Sequence, residues 1–480
     1  MTLNELLNGL ELLEKSGDVS GEITGICYDS RRVTPGALFV ALPGAHADGT
    51  IFVEDAIRRG AEAVVSEAPC AVGGGFPCVQ VADARLALAK LSTAFFGAPA
   101  DRLCTVGITG TNGKTTVSFM LREIFKAAGR RPGLIGTVRY EIGDREVPAA
   151  RTTPESRDVQ DMMAQMARSN CDSVIMEVSS HALNQHRVHG ILYDAAVFTN
   201  LTQDHLDYHG TLEEYFSVKS RLFNQVRGSA VINRDDPWGR RLLDEKKFLS
   251  GLISYGFEEG ATVRGLDDRT DAEGSRMRVE SPWGHAEISL KLIGHFNLHN
   301  ALAAFAAAGS LGIPVEIIAH ALAEMQCVPG RLESVSARKS KRVYVDYAHT
   351  DDALLNVLTA LRAITPGKLV VVFGCGGNRD TGKRKLMGQV ASRLADYTII
   401  TNDNPRNEVP EKIAADIATG FDSERKYEIL LDRRAAIIRG IELIGKKDVL
   451  LVAGKGHETY QEFAGTIVPF DDRETVREAL

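Results

Sequence analysis

The chain has 480 residues, 44% hydrophobic and 25% charged, which is enough apolar material for several cores and too long for one ordinary domain. A formal net charge of -7 argues against a general nucleic-acid surface, so a small anionic substrate would have to meet local basic residues. No window offers about 18 uninterrupted apolar residues, the N-terminal MTLNELLNGLELLEKSG lacks the layout of an export signal, and seven scattered cysteines without CxxC spacing suit a reducing compartment. A cytoplasmic, non-membrane protein with reduced cysteines is expected.

Up to about Pro99, short β-rich runs (ALFVAL, AEAVVS, PCVQVAD) alternate with helical patterns, as in a small α/β domain. From Leu103 the order becomes a strand (LCTVGIT), a glycine turn (GTNGKTT) and a helix (VSFMLREIFKAAG) closed by glycine, the order of a phosphate-binding βα unit. Further strands are predicted at DSVIMEVSS, AAVFTN and SAVINRD, and a helix at NALAAFAAAGSLG. CVPGRLE looks like a linker. The last third alternates strands (RVYVDYA, LVVVFGCGG, YTIITND, DVLLVAGKG) with helical stretches, which predicts a doubly wound, Rossmann-like domain. The expected architecture is therefore α/β in three domains, 1–99, 100–328 and 329–480.

In Gly107–Thr116 the glycines let backbone N–H groups approach phosphate oxygens, with a helix N-terminus behind them. Lys114 would meet the outer phosphates and Thr115 a magnesium ion. The pattern GxxxxGK[ST] is not met, because Ile108 holds its first glycine position; the loop follows a G-T-N-G-K-T-T variant instead. Nucleotide binding alone leaves ATPase, kinase and ligase open.

This variant resembles the loop of the Mur ligases and of folylpolyglutamate synthetase, which form amide bonds at the expense of ATP, and the resemblance continues in family order along nearly the whole chain. It implies an N-terminal UDP-binding domain, a central P-loop ATPase domain and a C-terminal Rossmann-like domain. Gly110, Thr111, Asn112, Gly113, Lys114, Thr115 and Thr116 would bind ATP. Glu177, in MEVSSH, is similar to the family's metal-binding glutamate. His205, in a segment that also carries Asp207 and His209, is similar to a second-metal ligand. Lys219 matches the lysine that is carbamylated in the family, a change that turns an ammonium into an anionic oxygen ligand able to sit beside Mg2+. Lys114, Glu177, His205 and Lys219 are the expected catalytic set, and Thr115, Glu177, His205 and carbamylated Lys219 the expected metal set.

The same resemblance makes Asn297 and Asn300 adenine-side contacts, and Arg331, Asp346 and His349 further nucleotide contacts. The family usually continues YAHT with proline, whereas this chain has Asp351, which bears on the local turn. Thr152, Thr153, Ser179, Gln185 and Arg187 resemble residues that hold the muramoyl peptide, with Arg187 suited to a substrate carboxylate. Ser30, Ala45, His46 and Ala47 lie in a segment similar to the UDP-binding region, which folylpolyglutamate synthetase lacks.

The tetrad Asp403-Asn404-Pro405-Arg406 follows a predicted strand at the carboxyl edge where open α/β sheets bind ligands. It matches the diaminopimelate-adding branch, whose arginine clamps the amino acid's distal carboxylate. Arg379, Gly454 and Glu458 resemble the remaining contacts, Glu458 facing the distal ammonium. The implied partners are ATP, UDP-N-acetylmuramoyl-L-alanyl-D-glutamate and meso-2,6-diaminopimelate, acting on a monomer. Two rivals are a lysine-adding relative, which the tetrad disfavours, and a catalytically inactive UDP-sugar-peptide binding protein, which Lys114, Glu177 and Lys219 disfavour.

Overall fold

The computed structural model describes the chain apart from residues 45–47, 70–74, 248, 336–340 and 423–426. Two compact units are formed, one from Met1–Thr109, Arg130–Ala196 and Val218–Gly228, the other from Gly110–Gly129, Val197–Ser217 and Ser229–Leu480.

The first unit opens with a five-stranded sheet in the spatial order Leu12–Ser16, Cys78–Val81, Ala61–Ser66, Ala37–Val40, Gly25–Cys27. All its pairs are parallel except that of Leu12–Ser16. The run ALFV is apolar throughout because both faces are covered: Leu38 and Val40 join Ala63, Val65, Val79 and Val81 in one core, while Ala37 and Phe39 join Val64 and Cys78 in the other. The helix Ala84–Phe95 packs on the first face and is capped by Asp83, which accepts from Leu86 N at 2.8 Å. The same unit holds the parallel strands Cys104–Thr109, Ser173–Glu177 and Pro132–Ile135. Ser173–Glu177 is buried at every position and ends on Glu177, which therefore emerges at the carboxyl edge.

In the second unit the glycine loop runs into the helix Lys114–Ala127, and an antiparallel meander of Val263–Asp271, Gly274–Ser281 and Gly284–Leu290 precedes the helix His295–Ser310. Residues 333–453 build a six-stranded sheet in the order Glu333–Ser334, Arg342–Asp346, Val449–Ala453, Leu369–Phe373, Tyr397–Ile400, Tyr427–Ile429, parallel except at its first pair. Leu369, Val371 and Phe373 face the helices Asp351–Ile364, Gly382–Leu394 and Pro410–Ala418, while Val370 and Val372 face Arg433–Leu443 and Asp472–Ala479. This is the doubly wound arrangement expected from the sequence. Its consequence is positional, because the loops after Asp346, Phe373, Ile400 and Ala453 all leave the carboxyl edge of one parallel sheet.

Among the described residues no helix is long and apolar enough to cross a membrane. Cys27, Cys104, Cys171, Cys327 and Cys375 are free.

Candidate active site

Gly113 caps the helix Lys114–Ala127 at φ +89, and Gly110 sits at φ +144. A side chain at Gly110 would run into Thr199 Oγ1, and one at Gly113 into Asn300, so this tight approach requires glycine at both positions. Lys114 Nζ folds back to donate to the carbonyls of Gly110 (2.8 Å) and Thr111 (2.7 Å). The loop is held from outside. Thr111 N donates to Asn200 O at 2.8 Å, Asn112 N to Asn200 Oδ1 at 2.9 Å, Thr199 Oγ1 to Asn112 O at 2.6 Å, and Asn112 Nδ2 to Asp352 at 2.8 Å. Thr115 and Thr116 are buried behind it.

The predicted nucleotide contacts largely come together here. Asn300 Nδ2 donates to Asn297 Oδ1 at 3.2 Å, and Asn297 Nδ2 to Ile293 O at 2.9 Å. Arg331 Nη2 donates to Thr115 Oγ1 at 3.1 Å and its guanidinium stacks 4.5 Å from the Tyr347 ring centre. Asp346 accepts from Leu332 N and Ala348 N; burial pushes its carboxyl up, against the pull of Arg331 and those two N–H groups. His349 Nδ1 donates to Tyr347 O at 2.8 Å, and burial followed by the Lys383 charge pushes its imidazole down to about 4. Burial alone would raise the Asp204 carboxyl, but the charges of His205, His349, Lys383 and Lys114 around it hold it below its usual value. Lys383 was not singled out in the sequence, since it lies in an ordinary basic run at a helix start. Asp351 opens the helix Asp351–Ile364 behind Thr350, whose hydroxyl accepts from Ala353 N. First helical positions favour both proline and acidic residues, so the departure from the family pattern leaves the turn intact.

In the first unit, Glu177 is fully buried, with Oε1 accepting from Thr137 N (3.0 Å) and Oε2 from Thr137 Oγ1 (2.8 Å). Thr137 also meets Thr152 at 3.1 Å. Thr153 Oγ1 donates to Glu177 O at 2.7 Å, and Ser179, the cap of the helix Ser180–Asn184, donates its N–H to Thr153 Oγ1 at 3.1 Å. Arg187 donates to Thr153 O (2.9 Å) and Gln185 Oε1 (2.7 Å) and lies 3.1 Å from Glu155. Thus Thr152, Thr153, Ser179, Gln185 and Arg187 form one network around Glu177, whose further members Thr137 and Glu155 the sequence did not reveal. Lys219, in the last turn of the helix Leu212–Ser220, is 1% exposed. In the second unit His205 stands at φ +55 with its Nε2 3.4 Å from Asp204. Among the described residues no group of three or more His, Cys, Asp or Glu is placed to hold a metal ion. Ser30 is buried in the short turn Ser30–Arg32, whereas Ala45, His46 and Ala47 lie outside the described residues.

At the carboxyl edge of the last sheet, the tetrad turn packs on the loop of Gly454 and Glu458. Asn404 Nδ2 donates to Glu458 Oε2 (3.1 Å), and Asn404 Oδ1 accepts from Lys455 Nζ (3.1 Å) and Glu462 N (3.1 Å). Lys455, fully buried, also donates to Glu458 at 2.9 Å. Gly454 is at φ +113, where a Cβ would come within 2.6 Å of Asp403 Oδ2. Pro405 carries the turn to Arg406, which adopts φ +52, an uncommon conformation for a side-chain-bearing residue and one that clusters at functional sites. Arg406 Nη1 donates to Gly377 O at 2.8 Å and Nε to Glu462 at 3.2 Å, while Arg379 is exposed on the neighbouring loop; a Cβ at Gly376 would meet Arg406 Nη1 at 3.1 Å and Arg379 Cγ at 3.9 Å. Two guanidinium groups and a Lys–Glu–Asn cluster thus share one sheet edge, suited to a ligand bearing both a carboxylate and an ammonium. Lys455 could have been found between its two glycines; nothing local marks Glu462.

Three family descriptions match the chain: Mur ligase family, catalytic domain over 22–95; Mur ligase middle domain over 108–308; and Mur ligase, glutamate ligase domain over 330–456. A UDP-N-acetylmuramoyl-L-alanyl-D-glutamate–2,6-diaminopimelate ligase from Caldanaerobacter subterraneus subsp. tengcongensis is 42% identical, over 100% of this chain and 99% of that protein. One of the same name from Geobacillus kaustophilus is 46% identical over 96% and 95%. A solved structure with that enzyme name superposes with a TM-score of 0.71 at 33% identity, covering 100% of this chain and 98% of the other. Similarity of this depth, along the full length and through all three matched regions, makes the chain a member of the Mur ligase family.

Proposed function

We propose that this protein joins meso-2,6-diaminopimelate to the D-glutamate carboxylate of UDP-N-acetylmuramoyl-L-alanyl-D-glutamate, consuming ATP, in peptidoglycan synthesis. The observation that carries this reading is the amino-acid site: Arg406 anchored between Gly377 O and Glu462 beside Arg379, with Glu458 oriented by Lys455 and Asn404. Diaminopimelate carries at its distal end both a carboxylate for the arginines and an ammonium for Glu458. Lysine lacks the carboxylate, so Arg406 discriminates between the two. Full-length relatives with the diaminopimelate ligase name support the same substrate.

Domains 1–99, 100–328 and 329–480 would bind the UDP substrate, ATP and the amino acid respectively. The substrate carboxylate attacks the γ-phosphate of ATP to give an acyl phosphate and ADP, and the amine then displaces phosphate. No nucleophilic side chain is required. Lys114, released from the Gly110 and Thr111 carbonyls, neutralises the outer phosphates, and the glycine-loop N–H groups hold them in place. Asn297, Asn300, Arg331, Asp346 and His349 position the nucleotide, and Thr152, Thr153, Ser179, Gln185 and Arg187, with Ser30 and residues 45–47, the UDP substrate.

Mg2+ prefers oxygen donors, and the Thr115 hydroxyl, the Glu177 carboxylate set by Thr137, and a Lys219 carbamate meet that preference, with His205 adding a nitrogen. When bound, the ion supplies positive charge that offsets the charge gathered on the phosphates. Burial of Lys219 favours the neutral amine that carbamylation requires, and the carbamate anion so formed would be balanced by the cation it helps to hold. Substrates of this kind fit a cytoplasmic enzyme.

The test is phosphate release with the UDP-muramoyl dipeptide and ATP, comparing meso-diaminopimelate with L-lysine. Release with diaminopimelate alone is expected. Release with lysine instead would favour the lysine-adding reading, and none with either would leave a binding protein.

A further inference from the structure

The carboxylate-reading and ammonium-reading loops leave the ends of two strands, Tyr397–Ile400 and Val449–Ala453, that are not hydrogen-bonded neighbours, because Leu369–Phe373 lies between them. The sheet ladder therefore does not directly set the spacing of the two loops. Asn404 ties them together at the surface of the site through Glu458 and Lys455, and a side chain from a third element bridges their backbones beneath it. Arg433, first residue of the helix Arg433–Leu443, is fully buried and donates from Nη1 to Asn402 O (3.1 Å) and from Nη2 to Ala453 O (3.0 Å). Those carbonyls stand two residues before Asn404 and one before Gly454. The guanidinium is fixed by an equally buried carboxylate: Nε and Nη2 donate to the two oxygens of Asp472, at 2.8 and 2.7 Å. Gln461 Nε2 adds a bond to Asp403 O at 2.9 Å.

We infer that Arg433, held by Asp472, is a positioning residue that fixes the backbones from which Arg406 and Glu458 project, complementing the Asn404 link, and so matches the site to an amino acid with a carboxylate and an ammonium on one carbon. This rests on the amino-acid site proposed above. The planar fork suits the task, since it serves a carboxylate and two carbonyls at once, which an ammonium cannot do in that geometry. Asp472 lies beyond the matched glutamate ligase region, which ends at 456, so the last helix of the chain takes part in the site.

The test is a double variant, Arg433→Met with Asp472→Leu, since replacing a whole buried ion pair by apolar residues tends to preserve the fold while it removes both carbonyl bonds. The KM for meso-diaminopimelate should rise about tenfold or more, because sub-ångström misplacement of paired contacts is costly, with the KM values for ATP and the UDP substrate and the melting temperature near wild type. Arg433→Lys, which keeps the charge opposite Asp472 without the fork, should give the same selective rise and serves if the double variant does not fold. An unchanged diaminopimelate KM in a folded variant, or an equal rise for all three substrates, overturns the positioning role. Arg406→Ala in the same series separates the two ideas. If it raises the diaminopimelate KM while the Arg433 variants do not, only the positioning role fails; if it leaves that KM unchanged, the amino-acid site itself is misassigned.

Discussion

Arg406→Ala isolates the contact on which substrate choice depends. In the free chain the Arg406 side chain is 22% exposed, Nε lies 3.2 Å from the Glu462 carboxylate, Nη1 bonds Gly377 O at 2.8 Å, and Nη2 makes no hydrogen bond to the described residues. A substrate carboxylate would find that edge of the fork available. Losing a charge-assisted pair in a partly closed site costs about 2–5 kcal/mol. Glu462 already shares the charge and the group is partly solvated, so the lower half applies, about 2–3 kcal/mol, or about 30- to 150-fold in diaminopimelate KM. Glu462, left behind, would add repulsion toward the incoming carboxylate. Because Arg406 sits at φ +52, Arg406→Gly should lose the same affinity without backbone strain, and Arg406→Lys should recover little. Steady-state kinetics with each of the three substrates varied in turn is the assay. Should the alanine variant keep its diaminopimelate KM while its affinity for ATP falls, Arg406 belongs to the nucleotide site and does not read the amino acid.

Lys219→Ala should abolish turnover and recover part of it in millimolar acetate or formate, because only an anionic oxygen is needed; intact-mass measurement showing a free amine in active wild type would contradict this. Asp351→Pro should change stability by less than about 1 kcal/mol and leave turnover near wild type, since Thr350 is already extended (φ -121, ψ 160) as the residue before proline must be; a large drop in the denaturation midpoint would refute that. Stability should fall on acidification. His349 and His299 are both pushed down to about 4 chiefly by burial, so between the unfolded value near 6.5 and about 4 the unfolded state binds more protons, and stability fully present above 6.5 is lost through that window. Each histidine accounts for up to about 3 kcal/mol, and His349→Asn should flatten the pH dependence of urea midpoints between pH 7 and pH 5; an unchanged slope would show that His349 does not titrate in this way.

What the sequence determined by itself was local chemistry in backbone register. GTNGKTT could be read as a phosphate loop because its glycines, its lysine and the helix start behind it are consecutive, and the structure places Gly113 at the helix cap with Lys114 next in line. The tetrad could be placed at a sheet edge because YTII reads as an apolar strand, which in the structure is parallel to its neighbours and ends at Ile400, just before the tetrad. The alternation of apolar runs and helices likewise foretold the doubly wound sheet. What the tertiary structure alone decided was which distant side chains meet. Thr137 orients Glu177 from 40 residues away, Glu462 anchors Arg406 from 56, and Asp472 fixes Arg433 from 39. None of these partners carries a local mark: a glutamate in a hairpin, a threonine after a glycine and an aspartate at a helix start look like ordinary turn and cap residues. Their roles arise because parallel strands are joined by long crossovers, which bring segments far apart in the chain to one edge of the sheet, and burial there leaves an arginine or a carboxylate no water to pair with except at a high cost in free energy.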